Sequence, residues 1–115
     1  VCVFPLVTEG DETLKYVFPT KQRAAQTAIN LAQADGRIDR LVIFGSAVTM
    51  QCGMKSDMDI AVDAPNMSED DFMKLARGFY RGIDSEVDVI HYNNIHNALL
   101  KREIDEKGVP VYVKR

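Results

Sequence analysis

The chain has 115 residues and a formal net charge of −3 at pH 7, with hydrophobic residues at 46% and charged residues at 27%. This length predicts one domain and leaves no room for a second. The charge balance argues against a nucleic-acid or anionic-membrane surface spread over the molecule, because such surfaces are strongly basic.

The cysteines and the hydropathy pattern bear on the cellular compartment. Cys2 and Cys52 are too few and too far apart in sequence for a disulfide scaffold. No apolar run reaches the ~18 residues that a membrane span needs, and residues 1–7 lack the basic and apolar regions of a signal peptide. We therefore expect a cytoplasmic protein with reduced thiols and no membrane partner.

The predicted elements begin with an apolar segment, a helix and a buried strand. Residues 1–7 are apolar enough for a strand, which Pro5 confines to a sheet edge. Thr20 is the predicted N-cap of a helix that runs to about Asp35, with alanines repeating at helical spacing. The continuous apolar run over 41–44 predicts a strand that is buried on both faces.

Strands and helices alternate along the rest of the chain. Residues 57–62 alternate acidic and apolar side chains, which is typical of a strand with one wet face. The order predicts an α+β (mixed α/β) fold in which helices pack on a small mixed sheet. We expect a single domain over residues 1–115, with 1–19 as an N-terminal extension. The elements predicted after residue 44 are a turn (45–55), the strand over 57–62, a helix capped by Ser68, a strand (87–90), a helix capped by Asn94 and a strand (109–113).

Three aspartates of this pattern are candidates for a metal site. Because side chains alternate along a strand, Asp57 and Asp59 point to one face while their apolar neighbours enter the core. Adjacent carboxylates repel each other, and a divalent cation such as Mg²⁺ makes the arrangement favourable. Asp88 lies between apolar residues of the next predicted strand, where an unpartnered carboxylate is costly. If the two strands are neighbours, the three acids meet at one site.

Gly45 and Ser46 follow the buried strand and supply a complementary feature. Glycine has no Cβ, so its backbone can approach a ligand closely. The N–H groups of a following helical turn, together with the Ser46 hydroxyl, can hold an anion. The sequence therefore predicts a turn that binds a triphosphate beside a metal site.

The order and spacing of these motifs resemble a known family. They are similar to the motifs of the nucleotidyltransferases of the DNA polymerase beta superfamily, and in particular of its minimal (MNT-type) members. These look like the nucleotidyltransferase half of kanamycin nucleotidyltransferase-type enzymes. The resemblance rests on Gly45-Ser46, Ser56-Asp57-Met58-Asp59-Ile60 and Val87-Asp88-Val89. It covers about residues 38–113 and includes the closing helix and the ending Lys107-Gly108-Val109-Pro110-Val111-Tyr112.

The resemblance implies an enzyme that moves an NMP from an NTP, with ATP as the expected substrate, to an acceptor hydroxyl. Mg²⁺ or Mn²⁺ is the implied cofactor. The three aspartates are implied to bind the metal and to act in catalysis, with Asp88 also deprotonating the acceptor. The implied nucleotide-binding residues are Gly45, Ser46 and Ser56, and the position of Lys55 places it within reach of a phosphate.

The sequence leaves several possibilities for the acceptor and for the activity. Minimal proteins of this class resemble antitoxins paired with helical HEPN toxins, which implies a HEPN-type toxin as partner and a protein hydroxyl as acceptor. Self-association could also complete the acceptor surface, whereas nucleic acid is not an expected partner. One alternative is a docking module that has lost its chemistry, because the family often has Arg-Gly where this chain has Thr49-Met50. Another is an aminoglycoside-like small molecule as acceptor.

Overall fold

A four-stranded sheet organises the computed structural model, which describes residues 2–52 and 57–115. The order across the sheet is β3-β2-β1-β4. Strand β1 is antiparallel to β2 and β4, whereas β2 and β3 run parallel. This mixed sheet confirms the predicted fold class, and the four strands predicted from residue 41 onward are all present. Their bounds are β1 (Arg40–Phe44), β2 (Met58–Asp63), β3 (Val87–His91) and β4 (Val109–Val113).

Helices cover both faces of the sheet. Helices α1 (Gln22–Ala34) and α2 (Glu69–Gly82) form the larger core with alternate residues of β1 and β2. The intervening residues of these strands point to the opposite face, where α3 (Ala98–Lys107) packs. Both faces of β1 are therefore buried, as its continuous apolar run predicts. The smaller core under α3 contains Val42, Phe44, Ala61 and Ile104.

The N-caps predicted from the sequence are right for α2 and wrong for α1. The Ser68 hydroxyl accepts a hydrogen bond from the Asp71 N–H at 3.2 Å and caps α2, as predicted. Thr20 does not cap α1, because a 3-10 turn that begins at Pro19 already contains it. This turn ends at Lys21, whose side chain makes no capping bond.

The predicted cap of the third helix is wrong. Asn94 ends a short 3-10 turn, and Asn97 caps α3 instead. Its side-chain oxygen accepts from the N–H groups of Leu99 at 3.0 Å and Leu100 at 3.1 Å. The helix therefore starts later than predicted, and Leu99 in its first turn is 75% exposed.

The N-terminal segment is anchored but forms no strand over residues 2–7. Buried Gln22 holds it, since its side-chain amide donates to the Pro5 carbonyl at 2.9 Å and accepts from the Val7 N–H at 2.9 Å. The Phe4 ring packs edge-on against Phe18, with 5.4 Å between centroids. These contacts replace the backbone ladder that an edge strand would need.

No helix in the described parts of the chain combines the length and apolar character needed to cross a membrane.

Candidate active site

The pairing of β2 with β3 brings two of the predicted acids together. Asp59 and Asp88 are register partners in this parallel pair, so their side chains leave the same face of the sheet. Phe44 is the partner of Asp59 on β1 and belongs to the core under α3, which identifies this face as the α3 side. Asp57 lies one residue before β2 and is exposed.

The residues between these acids anchor them. Met58 and Ile60 are fully buried at 0% exposure, in the core that α1 and α2 cover. Their burial fixes the orientation of β2, because a shift by one residue would expose both and bury the acids. The half-buried Asp59 is therefore held at the sheet surface by the packing on the opposite side.

The electrostatic environment of Asp59 disfavours its charge. Burial raises the pKa of Asp59 above its ordinary value of 3.8, and the neighbouring carboxylates raise it further. In decreasing order of effect these are Asp88, Asp57 and Glu103. No lysine, arginine or histidine of the described residues forms an ion pair with Asp59 or Asp88. The site has an excess of negative charge that a cation would neutralise.

The backbone of Gly45 lies close to the Asp59 carboxylate. Its φ of +76° lies in the left-handed region, which favours glycine. A Cβ built on Gly45 would lie 2.5 Å from an Asp59 carboxylate oxygen, closer than real side chains approach. Gly45 begins a 3-10 turn that ends at Val48, and the Ser46 carbonyl accepts from the Thr49 N–H at 3.0 Å. The predicted turn and the acids therefore occupy one end of the sheet.

A cleft of about 530 Å³ opens beside this turn. Its walls come from the N-terminal segment, the turn and the C-terminal end of α3. They include Cys2, Gly45, Ser46, Thr49, Glu103 and Lys107. Another cavity of about 450 Å³ lies between α1 and β4 and contains none of the predicted site residues. The first cleft can therefore place a ligand against the glycine-serine turn.

The aspartates are suited to a hard cation that takes part of its coordination shell from a bound ligand. Within residues 2–52 and 57–115, no group of three or more His, Cys, Asp and Glu side chains is arranged to hold a metal ion by itself. Mg²⁺ usually keeps several waters and takes one or two carboxylates together with substrate phosphates. Asp59 and its neighbours supply the oxygen donors that such an ion prefers. A site formed by all three aspartates stays a prediction.

Sequence reasoning missed several groups and misplaced one. Glu103, Lys107 and Cys2 reach the site only through tertiary packing. The predicted Lys55 and Ser56 lie outside the described residues. His91 has no metal-ligand spacing in the sequence, which predicts a residue at the surface or in an outer shell of the site, and this prediction is wrong because His91 is buried.

Contacts on every side explain the burial of His91. One ring nitrogen lies 2.8 Å from a Glu69 carboxylate oxygen, and the other lies 3.0 Å from the Ala64 carbonyl. Its ring stacks on Phe72 with 4.6 Å between centroids. Glu69 belongs to the first turn of α2, where the helix dipole favours a negative charge. His91 therefore ties the end of β3 to the start of α2 and serves the fold.

The mixed sheet, with paired aspartates on neighbouring strands and a glycine-serine turn against them, defines a nucleotidyltransferase-type domain. Residues 26–115 match the family model described as polymerase beta, nucleotidyltransferase. The chain belongs to this family, as its motifs predict. Among curated proteins, no sequence matches the chain significantly.

Solved structures with the same fold include several toxin–antitoxin complexes. One is a toxin–antitoxin structure with AMP-PNP, at 22% identity over 77% of this chain and 73% of that one, with a TM-score of 0.64. Another is a tri-AMPylated Shewanella oneidensis HEPN toxin in complex with MNT antitoxin, at 22% identity, 82% and 73% coverage, and a TM-score of 0.62. A third is the MntA–HepT toxin–antitoxin, at 21% identity, 81% and 73% coverage, and a TM-score of 0.61. At these identities the likeness shows the fold.

Proposed function

We propose that this chain is a Mg²⁺-dependent nucleotidyltransferase that moves an NMP, in the first instance from ATP, onto a hydroxyl of a partner protein. The partner that we propose is a HEPN-type toxin, with this chain as its antitoxin. The observation that carries the activity is Asp59 beside Asp88, with Gly45 closing against Asp59. The partner is supported by the complexes with AMP-PNP and with an AMPylated HEPN toxin.

In this proposal the three aspartates have different roles, which follow from how exposed each one is. Half-buried Asp59 and exposed Asp57 provide oxygen ligands. Exposed Asp88 lies on an edge strand of the sheet, where the side chain of a macromolecular acceptor can reach it. A bound divalent cation would neutralise phosphate charge and stabilise the oxygens that attack and leave.

The transfer balances with the groups at hand. The acceptor oxygen forms a bond to the α-phosphorus as the bond from that phosphorus to the β-phosphate oxygen breaks. Pyrophosphate leaves, and the Asp88 carboxylate accepts the proton of the acceptor hydroxyl. Gly45 and Ser46 position the triphosphate in the cleft, with Ser56 and Lys55 as further proposed contacts. Positioning and charge neutralisation account for most of the catalysis in such reactions.

The domain and compartment belong to the same proposal. Residues 1–115 act as one nucleotidyltransferase domain, with 1–19 as an extension that Gln22 fastens to the body. The reaction takes place in the cytoplasm, where ATP is available and the two thiols stay reduced.

A docking module without chemistry is the second candidate, favoured by the Thr49-Met50 departure in the turn. Met50 is 73% exposed beside Thr49 of the cleft wall and offers an apolar contact to a partner. This module would bind its partner with or without nucleotide. Loss of Asp59 would leave its binding unchanged.

The deciding experiment incubates the protein with candidate HEPN-type toxins, ATP and Mg²⁺ and measures the intact mass of the toxin. We expect a gain of one or more AMP units, absent with Asp59→Asn. Complex formation without any mass gain would favour the docking module and contradict transfer. Asp70→Asn is the matched control, because Asp70 is exposed in the first turn of α2, which follows the opposite end of β2.

A further inference from the structure

The end of α3 is held beside the Gly45 turn by strand pairing. Val109 of β4 is the register partner of Ile43 of β1, so the residues just before β4 lie level with those just after β1. This places Lys107 in the wall of the cleft that Gly45 and Ser46 also line. The pairing of β4 with β1 therefore determines where Lys107 lies.

The backbone at this point has little freedom to move. The Gly108 N–H donates to the Ile104 carbonyl at 3.0 Å, and Ile104 is 1% exposed in the core under α3. A Cβ on Gly108 would collide with Val42 and with the Ile104 carbonyl oxygen. The closed packing holds the last turn of α3 against the sheet. The Lys107 side chain therefore starts from a fixed point at the cleft.

The ammonium group of Lys107 has no side-chain or carbonyl partner in the described part of the protein. Its ammonium makes no hydrogen bond or ion pair with residues 2–52 or 57–115. Glu103 is four residues earlier on the same helix, yet the two do not form an ion pair. Lys15, Lys101 and Lys114, in contrast, contact a carboxylate, an aromatic ring and a carbonyl.

A triphosphate that enters the cleft carries several negative charges, and a positively charged side chain in the cleft wall would attract it. The turn over residues 45–52 contains no lysine or arginine. Glu103 and Glu106 add negative charge to the same walls, and Glu103 acts on Asp59. Among the described lining residues, Lys107 alone brings a positive charge to the side of the glycine-serine turn.

We propose that Lys107 binds the triphosphate of the nucleotide and supplies positive charge that the turn itself lacks. This inference rests on the proposed nucleotidyltransferase function and adds a residue outside the glycine-serine turn and the three aspartates. A lysine acts as a mobile point charge, which suits the outer phosphates better than a rigid fork would. The alternative is that Lys107 does not bind nucleotide and is a solvated residue that complements the dipole of α3.

The test measures the affinity of the full chain for AMP-PNP with Mg²⁺, and for AMP, by calorimetry. Lys107→Ala should weaken AMP-PNP binding by about tenfold or more, since an ion-assisted contact to phosphate is lost. AMP, which lacks the outer phosphates, should lose less than about twofold by the same reasoning. Lys107→Arg, which keeps the charge, should restore most of the AMP-PNP affinity.

Lys74→Ala is the matched control, because Lys74 is an exposed helical lysine on α2, across the sheet from the cleft. It should change neither affinity. Equal losses in the Lys74 and Lys107 variants, or equal losses for AMP and AMP-PNP, would overturn the role of Lys107. Unchanged AMP-PNP affinity in Lys107→Ala, with normal wild-type binding, would overturn this role alone. A wild-type chain that binds no nucleotide would overturn the proposed function as well.

Discussion

Asp59 and Asp88 stand directly opposite each other on the parallel strands β2 and β3. Parallel partners share a face, so two carboxylates that are 29 positions apart in the sequence become neighbours. No cation of the described residues pairs with either one. Either a bound cation neutralises the two carboxylates, or they repel each other in the folded protein. These two cases predict different effects of substitution at Asp59.

Replacing Asp59 by asparagine should separate activity from stability. Transfer should fall by on the order of a hundredfold or more, since a ligand that stabilises developing charge is lost. The free energy of unfolding at pH 7 should rise, because burial and three nearby carboxylates disfavour the charge of Asp59. Transfer assays and urea melts check both effects. Full activity in Asp59→Asn would remove this residue from the site.

The gain from Asp59→Asn should depend on pH in one direction. The folded state raises the pKa of Asp59 above 3.8, so near and above that value the folded chain binds more protons than the unfolded chain. The contribution of Asp59 to stability therefore falls as the pH rises from 3.8 through the folded pKa. Urea melts of both proteins should differ most at pH 7 and converge as the pH approaches 3.8. A difference that grows on acidification would contradict the assignment.

Gly45→Ala should damage the fold and the site together. Alanine at φ +76° costs about 1–2 kcal/mol, and its Cβ would meet the Asp59 carboxylate. We expect a lower melting temperature and loss of AMP-PNP binding. Gly36→Ala is the control, because a Cβ there meets nothing within 4 Å. Equal stability of the two variants would show that the close approach of Gly45 to Asp59 is not present in solution.

Cys2 should report on occupancy of the cleft. Its half-buried thiol lines the same walls as Ser46, whereas Cys52 is 8% exposed. Iodoacetamide should modify Cys2 faster than Cys52, and ATP with Mg²⁺ should slow the modification of Cys2. Peptide mass mapping measures the two thiols separately. Protection that fails while calorimetry shows saturation would place the nucleotide elsewhere.

The start of α3 can be tested through its two candidate caps. Asn97→Ala removes an acceptor of two backbone N–H groups and should lower the free energy of unfolding by about 1 kcal/mol. Asn94→Ala should have a smaller effect, because that residue ends a 3-10 turn and caps no helix. Thermal melts of the two variants give the comparison, and the reverse order would favour the cap that the sequence predicts.

Short-range patterns in the sequence were sufficient for much of the fold. The apolar run of β1 and the Ser68 cap depend on neighbours within a few residues, and both are confirmed. The strand around Asp59 is present as well, but the prediction of one wet face is wrong, because Ala61 on that face is 0% exposed in the core under α3. The motif order also identified the family, because the glycine-serine turn and the aspartates occur at spacings that unrelated sequences rarely share. These features are determined by periodicity and by side-chain chemistry, which a sequence states directly.

The tertiary structure alone decided which distant groups share the site. The register of β2 against β3 sets Asp59 opposite Asp88, and the register of β4 against β1 brings Lys107 to the cleft. The burial of His91 also depends on packing between elements, because its partners Glu69 and Phe72 belong to α2. Strand register and helix packing arise from contacts between residues far apart in the chain, and local propensity carries no information about them.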